Sequence, residues 1–385
     1  MNPTIPKTEY QERMKKFQAN IKSAGLDAAL VHGIECDCAH VRYLSEYWPT
    51  FESAGIFVPA EGKPILLIGP ESELYARGRS VIPDIMKMIP YRESAEPQYP
   101  GIDVAKWSDV IKASGVKTLK KLGIVGSAII TMPVLDSLKS EMPGVELVNS
   151  GETLWSMRYV KSENELACMR RAFEISEIAI DAILNEIKPG MTEFQVIGIA
   201  QREIYKNGGE YEGHALYCFS GEHTNNAICR PSSKVIGTNE MIQINIGARV
   251  CGYSSSVGLP FSIGKLPENQ KKLQVFGLDA HKKTIELMGG GIPAAEVVSK
   301  YEKWVEDQGF KKFMLYGPCH AIGMMEVERP WMESVSTYNL VPNMTFQVDT
   351  FFYDSDFGLR WENGVAIKEQ GVEVLSSKYM KIIEL

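Results

Sequence analysis

Two segments of this 385-residue chain alternate apolar and polar residues with the period that lines side chains up on one face of a sheet. Met241-Ile-Gln-Ile-Asn-Ile-Gly turns back through Val250-Cys-Gly-Tyr, and Met344-Thr-Phe-Gln-Val-Asp-Thr-Phe-Phe-Tyr returns through Gly358-Leu-Arg-Trp-Glu-Asn-Gly-Val-Ala-Ile. Both read as antiparallel hairpins, and polar groups converging from a curved sheet make a site for a small ligand. Between them lies Gly317-Pro-Cys-His-Ala-Ile-Gly, whose His320 suits proton transfer or metal ligation. The loop Ser220-Gly-Glu-His-Thr-Asn-Asn-Ala-Ile-Cys-Arg-Pro adds His223, Asn225, Asn226 and Arg230. These are either ordinary loop residues or substrate contacts, and Arg230 has the fork geometry to clamp a carboxylate. Cys229 and Cys319 flank the same segments and read as small buried hydrophobes.

These hairpins need helices behind them. Residues 8 to 24 predict an amphipathic helix with Met14, Phe17 and Ile21 on one face, stopped by Gly25. Short apolar strands follow at Asp27–His32, Gly55–Val58, Pro64–Ile68 and Leu122–Val125, an alternation that predicts an α/β domain over residues 1–155. A second domain, 156–385, opens with a long helix from Glu163 to Ile187. Ser162 and Glu165 provide a capping box there, and Thr192 with Gln195 repeats the device for the next helix. A weak internal echo links Ile187-Lys-Pro-Gly-Met-Thr-Glu-Phe to Gly290-Gly-Ile-Pro-Ala-Ala-Glu-Val, each leading a helix toward a strand-rich region.

Composition narrows the partners. With 48 acidic against 41 basic residues, a net charge of -7 and no basic cluster, nucleic acid and anionic membranes are not expected. Seven cysteines without a repeated spacing fit a reducing compartment, and no apolar run reaches membrane-spanning length. A cytoplasmic enzyme acting on a small molecule is the expectation.

The ordered landmarks resemble the family of creatinase, prolidase, aminopeptidase P and methionine aminopeptidase. The resemblance is loose around Arg42-Tyr-Leu-Ser-Glu and firmer from Met157-Arg-Tyr-Val-Lys-Ser-Glu onward, through the His320 stretch and Glu328-Arg-Pro-Trp. It implies a creatinase/prolidase-type α/β domain, then an α+β pita-bread domain. It also implies a homodimer, with Tyr47, Trp48 and Phe51 as candidate contacts. Metalloenzymes of the family hold two divalent ions with two Asp, one His and two Glu. Carried over, the first Asp falls on Asn245 and the second on Ser256. The histidine is His320, the first Glu falls on Asp349, and the last is Glu362. The histidine that handles substrate in the peptidases falls on Val327, and the catalytic histidine of creatinase falls near Ile228.

Charge counting then sets the expectation. Two dications need about four carboxylates, and only Asp349 and Glu362 remain, so no pair of ions is expected. The main expectation is a metal-independent hydrolase of a small amide, amidine or dipeptide-like substrate, with no cofactor. His320 would shuttle the proton and Glu362 and Asp349 would orient it. Substrate would be held by His223, Asn226, Arg230, Asn245, Ser256, Glu328 and Arg360, with Arg360 also orienting Glu362. Glu328 is open to two further readings, as a second carboxylate for acid/base work or as an exposed helix cap. The alternatives are a Xaa-Pro-peptidase-like enzyme with one ion on His320, Asp349 and Glu362, and a non-catalytic ligand-binding protein.

Overall fold

The computed structural model describes residues 2–385, which divide into two compact units, Ile5–Arg158 and Tyr159–Leu385 with the extreme N-terminus. In the first unit, the helix Lys7–Ser23 buries Met14, Phe17 and Ile21, and Gly25 takes the positive φ of 68° that ends it. Six strands follow: β1 (Ala28–Gly33), β2 (Ala54–Pro59), β3 (Ile65–Ile68), β4 (Ile85–Lys87), β5 (Lys121–Val125) and β6 (Glu146–Asn149). They form one mixed sheet in the order β4-β3-β2-β1-β5-β6, parallel at β1–β5, β5–β6 and β3–β4. Leu30, Phe57, Leu67, Trp107 and Leu122 lie in the core on one side of that sheet. β1 to β3 are buried throughout, so their sequences read as continuous apolar runs.

The second unit starts with the helix Glu163–Glu186. Ser162 Oγ accepts from Glu165 N at 3.2 Å while the Glu165 carboxylate accepts from Ser162 N at 2.7 Å. Thr192 and Gln195 form the same reciprocal pair at the head of Glu193–Lys206. The strands are β7 (Tyr211–Glu212), β8 (Tyr217–Ser220), β9 (Met241–Ile246), β10 (Ala248–Val250), β11 (Tyr253–Ser254) and β12 (Val257–Ser262). After two more helices, Glu268–Leu287 and Ala294–Asp307, come β13 (Cys319–Ala321), β14 (Glu328–Met332), β15 (Thr345–Tyr353), β16 (Gly358–Ile367) and β17 (Val372–Val374). The main sheet runs β14-β13-β15-β16-β12-β9-β8, with β17 on β16; β11-β10-β7 form a smaller sheet.

The internal echo is written into the backbone hydrogen bonds. Gly190 N, Met191 O and Glu193 N bond to Ile236 O, Ile236 N and Lys234 O. Gly291 N, Ile292 O and Ala294 N make the same three bonds to Leu340 O, Leu340 N and Tyr338 O. Each half of the domain therefore clips its second helix to the chain that leads into its main hairpin. Asn245 stands nine residues after Ile236, and Asp349 nine after Leu340, so the two occupy matching places.

Candidate metal centre

Sheet register assembles the site. Asn245 on β9 pairs with Gly258 on β12, Gly258 with Glu362 on β16, and Glu362 with Asp349 on β15, a single row across four strands. His320 on β13 faces Gln347 of β15, one position over on the same face. Gly258 is required in that row, since a Cβ there would stand 2.7 Å from Glu362 Cβ and 2.9 Å from Asn245 Nδ2. Its missing side chain lets the Asn245 amide reach across β12 and donate to Glu362 Oε2. Gln243 Nε2 in turn donates to Asn245 Oδ1 at 2.9 Å, so the oxygen of Asn245 is already engaged.

His320 is buried, and its Nδ1 lies 3.1 Å from its neighbour's carbonyl, Ala321 O. With that nitrogen donating, Nε2 carries the lone pair and is the one available as a ligand. It points to Glu326, whose Oε1 is 3.5 Å away. Glu326, 19% exposed, shares a hydrogen bond with Glu362, which is fully buried. Burial raises the Glu326 carboxyl to about 6, and burial followed by the charge of Glu326 drives Glu362 well above the usual carboxylate range. One ligand atom each from His320, Glu326 and Glu362 lies within 4.8 Å of the others.

Asp349 is engaged elsewhere. Tyr316 Oη donates to Asp349 Oδ2 at 2.7 Å, and Arg360 Nε stands 3.1 Å from Asp349 Oδ1. Arg360 also donates to Tyr316 Oη and Ala227 O, both at 2.8 Å, and lies 5.4 Å from the centre of the Phe351 ring. The structure brings together a different trio from the three-ligand set of sequence analysis: Glu326, which no sequence signal marked, and not Asp349, lies with His320 and Glu362. Arg360 orients Asp349 and not Glu362. Glu328 is no exposed cap: it is buried, accepts from Met325 N at 2.9 Å and stands 3.9 Å from the Lys161 ammonium.

The remaining candidates scatter. Ser256 is buried beside the row, and its Oγ has no hydrogen-bond partner among the described residues. His223 Nδ1 lies 3.1 Å from the fully buried carboxylate of Glu193, which also accepts from Ser220 N and Ser232 N at 2.9 Å each. His223 is thereby tied to the base of its loop. Asn226 Nδ2 donates to His223 O within the loop, and Arg230 stays exposed. His214, which no sequence signal marked, brings a second imidazole near: burial lowers it to about 4, and its Nε2 has no partner among the described residues.

The comparisons with known proteins agree with this architecture. Residues 167–369 match the model of metallopeptidase family M24, and residues 13–160 match the creatinase/prolidase N-terminal domain. The chain belongs to family M24. An Xaa-Pro dipeptidase of Pyrococcus furiosus is 22% identical over 326 residues, 84% of this chain and 90% of that protein. An X-Pro aminopeptidase from Thermotoga maritima has the same fold at a TM-score of 0.83 and 21% identity, covering 97% of this chain and 99% of its own. The prolidase of Pyrococcus horikoshii superimposes at 0.82 with 23% identity, covering 95% and 98%.

Membership in a metallopeptidase family corrects the expectation of a site without a cofactor, and the His320–Glu326–Glu362 cluster is where this chain could meet that requirement. A pair of ions does not fit the residues present. Asn245 turns a donor toward Glu362, its oxygen is occupied, Ser256 brings no charge, and Asp349 is neutralised by Arg360. One dication does fit: two carboxylates balance its charge and an imidazole nitrogen completes a three-donor set.

Proposed function

We propose that this M24 protein is a peptidase of dipeptide-sized substrates that works with a single divalent ion. The supporting observation is the convergence of His320, Glu326 and Glu362 in a protein whose relatives include Xaa-Pro dipeptidases. The chemistry such an ion supplies is Lewis acidity, which polarises a carbonyl and acidifies water. The protein's own contribution is orientation. Ala321 O fixes the tautomer of His320, Asn245 steadies one oxygen of Glu362, and Gly258 keeps the space between them open. Arg230, exposed at the end of the loop that Glu193 and Arg360 anchor, is the guanidinium free to take a substrate carboxylate. Trp331, whose ring is 5.4 Å from that of His320 and which is partly exposed, offers an apolar surface next to the donors.

The metal-independent, creatinase-like reading has no support from the relatives, and Ile228, where that enzyme's histidine would fall, is an exposed apolar residue. A homodimer accompanies the proposal. Of the three aromatics considered for its contact, Tyr47 is buried and Trp48 donates to Glu35 O, whereas Phe51 is 83% exposed. No helix among the described residues is long and apolar enough to cross a membrane. The test is a hydrolysis panel of Xaa-Pro and other dipeptides, longer peptides and amidines, run on protein stripped by chelator and then supplied with Mn2+, Co2+ or Zn2+. Dipeptide cleavage restored by one of these ions is expected. Turnover indifferent to chelator, or confined to amidines, would refute the proposal.

A further inference from the structure

Two carboxylates beside the metal row, Asp349 and Glu326, differ in their partners. Asp349, at the place where the family carries a ligand Glu, accepts the Tyr316 hydroxyl on Oδ2, and its Oδ1 stands 3.1 Å from Arg360 Nε as an ion pair without a hydrogen bond. Its one-methylene-shorter side chain sits beside a guanidinium that is itself fixed by Ala227 O and Tyr316 Oη. A carboxylate in such a pairing is a poor ligand, because coordinating a cation would strip a buried arginine of its counter-charge. Glu326 lies six residues past His320, outside the family's ligand positions, and its carboxylate is the one that meets His320 and Glu362.

The segment that presents Glu326 is held at several points. Ile322 O accepts from Thr345 Oγ1 at 2.6 Å, Gly323 O from Ser254 N at 2.7 Å, and Met324 O from Ser254 Oγ at 3.0 Å. Met325 N donates to Glu328 Oε1, and a Cβ on Gly323 would stand 2.7 Å from the other Glu328 oxygen. Buried Glu328 and buried Lys161 therefore tie down the turn on both sides of the residue that faces the donors. Val327, where peptidases of the family carry their substrate histidine, points the other way in chemistry: it is apolar and 46% exposed. Further acceptors without hydrogen-bond partners among the described residues, Ser256 Oγ, Gln347 Oε1 and the Asp349 Oδ1 that ion-pairs with Arg360, are buried on this same side of the sheet.

The geometry points to a relocated ligand: Glu326 has replaced the residue at 349 as the second carboxylate of the ion, giving a His320–Glu326–Glu362 centre for a divalent cation. Asp349 is a positioning residue that fixes Arg360 and Tyr316 at the edge of the site. This inference rests on the single-ion reading above and deepens it, by making Glu326 the substitute for the residue at 349 and leaving Asp349 outside the ion's ligands. Glu328 is the positioning residue for Glu326.

The test is cobalt(II) titration of the full-length protein and its variants, read by calorimetry and by the visible absorption of the bound ion. Circular dichroism and thermal melting report the fold in parallel. The unaltered protein is expected to bind the ion. Glu326→Gln, an isosteric change at a partly exposed side chain, should weaken it by more than the roughly 10–100-fold that loss of an outer hydrogen-bond partner costs. Asp349→Asn should retain the ion with its absorption spectrum unchanged, though Arg360 loses its counter-charge. If Asp349→Asn does not fold, Glu326→Gln alone still decides the assignment. Unaltered affinity in a folded Glu326→Gln variant would overturn the relocation while leaving the single-ion peptidase standing. An unaltered protein that binds no cobalt would instead overturn the proposed function itself.

Discussion

The two halves of the C-terminal domain share one plan and differ in charge. Each clips a helix to the chain ahead of a hairpin by the same three backbone bonds, and each presents a polar residue nine positions later. In the first half that residue is Asn245, with Ser256 just before the return strand; in the second it is Asp349, with Glu362 inside the return strand. The first half thus brings neutral groups and the second brings anions and His320. Neutrality in the first half also has a structural use: an amide at 245 can donate to Glu362, where a carboxylate would repel it. The comparison teaches that losing one ion's ligands is a coordinated change. With no second cation between Asn245 and Glu362, the amide at 245 supplies a donor to that carboxylate.

Changes that break this asymmetry should have graded effects. Arg360→Met would leave Asp349 buried beside Glu326 and Glu362 without its cation, and removing one partner of a buried pair costs about 3–5 kcal/mol. Urea unfolding should show that loss, and Asp349→Asn made in the same chain should recover part of it. The first half responds to Asn245→Asp, which trades the Glu362 hydrogen bond for like charge. A penalty of roughly 2–3 kcal/mol is expected at neutral pH, in line with an uncompensated buried group, and added Mn2+ or Co2+ should reduce it. Melting with and without metal checks this, and a variant as stable as the parent would contradict the account.

The helices behind the two hairpins differ as well. Ser176 Oγ in the first half contacts Ser255 Oγ at 2.8 Å, while in the second the buried His281 bonds to Asn363 Oδ1 at 2.9 Å and Thr350 Oγ1 at 3.2 Å. Burial lowers His281 from 6.5 to about 4. A histidine kept neutral in the fold binds its proton more readily when unfolded, so its contribution is intact above pH 6.5 and is lost as pH falls toward 4. At about 1.4 kcal/mol per unit, this amounts to roughly 3 kcal/mol. His32 and His214 are shifted the same way, so His281→Gln should flatten one proton's share of the acid limb in a stability–pH series. A slope unchanged by that substitution would exclude His281 as a contributor. The smallest effect is at the helix heads. Thr192→Ala removes a capping box and should cost about 1 kcal/mol, whereas Pro293, its counterpart, makes no side-chain cap bond and should tolerate Ala at less cost.

Much of this was legible in residue order. The capping boxes at Ser162 and Thr192, the alternation in β9 and β15, and the echo between the halves all act through local backbone chemistry. The likeness of ordered landmarks to the creatinase and prolidase family carried the fold. The donor set was harder, because it depends on side chains meeting across the sheet. Asp349 was assigned to the site by position, yet its capture by Tyr316, 33 residues earlier, and by Arg360 is visible only in three dimensions. In Gly-Met-Met-Glu-Val-Glu, Glu326 and Glu328 are equally acidic in sequence, and only the fold separates the one that meets His320 from the one buried against Lys161. Glu326 lies between β13 and β14, outside both strands, so strand alternation could not relate it to the histidine. Similarly, Arg360 and Glu362 share a face of β16 as alternate residues, yet the guanidinium reaches across to Asp349 of the neighbouring strand.

The most direct measurement is the ion content of the unaltered protein, purified without chelator, loaded with divalent metal and dialysed, then determined by elemental analysis against protein concentration. A neutral first half facing an anionic second half predicts one ion per chain. Two ions per chain would contradict it, since Asn245 and Ser256 would then have to serve as ligands after all.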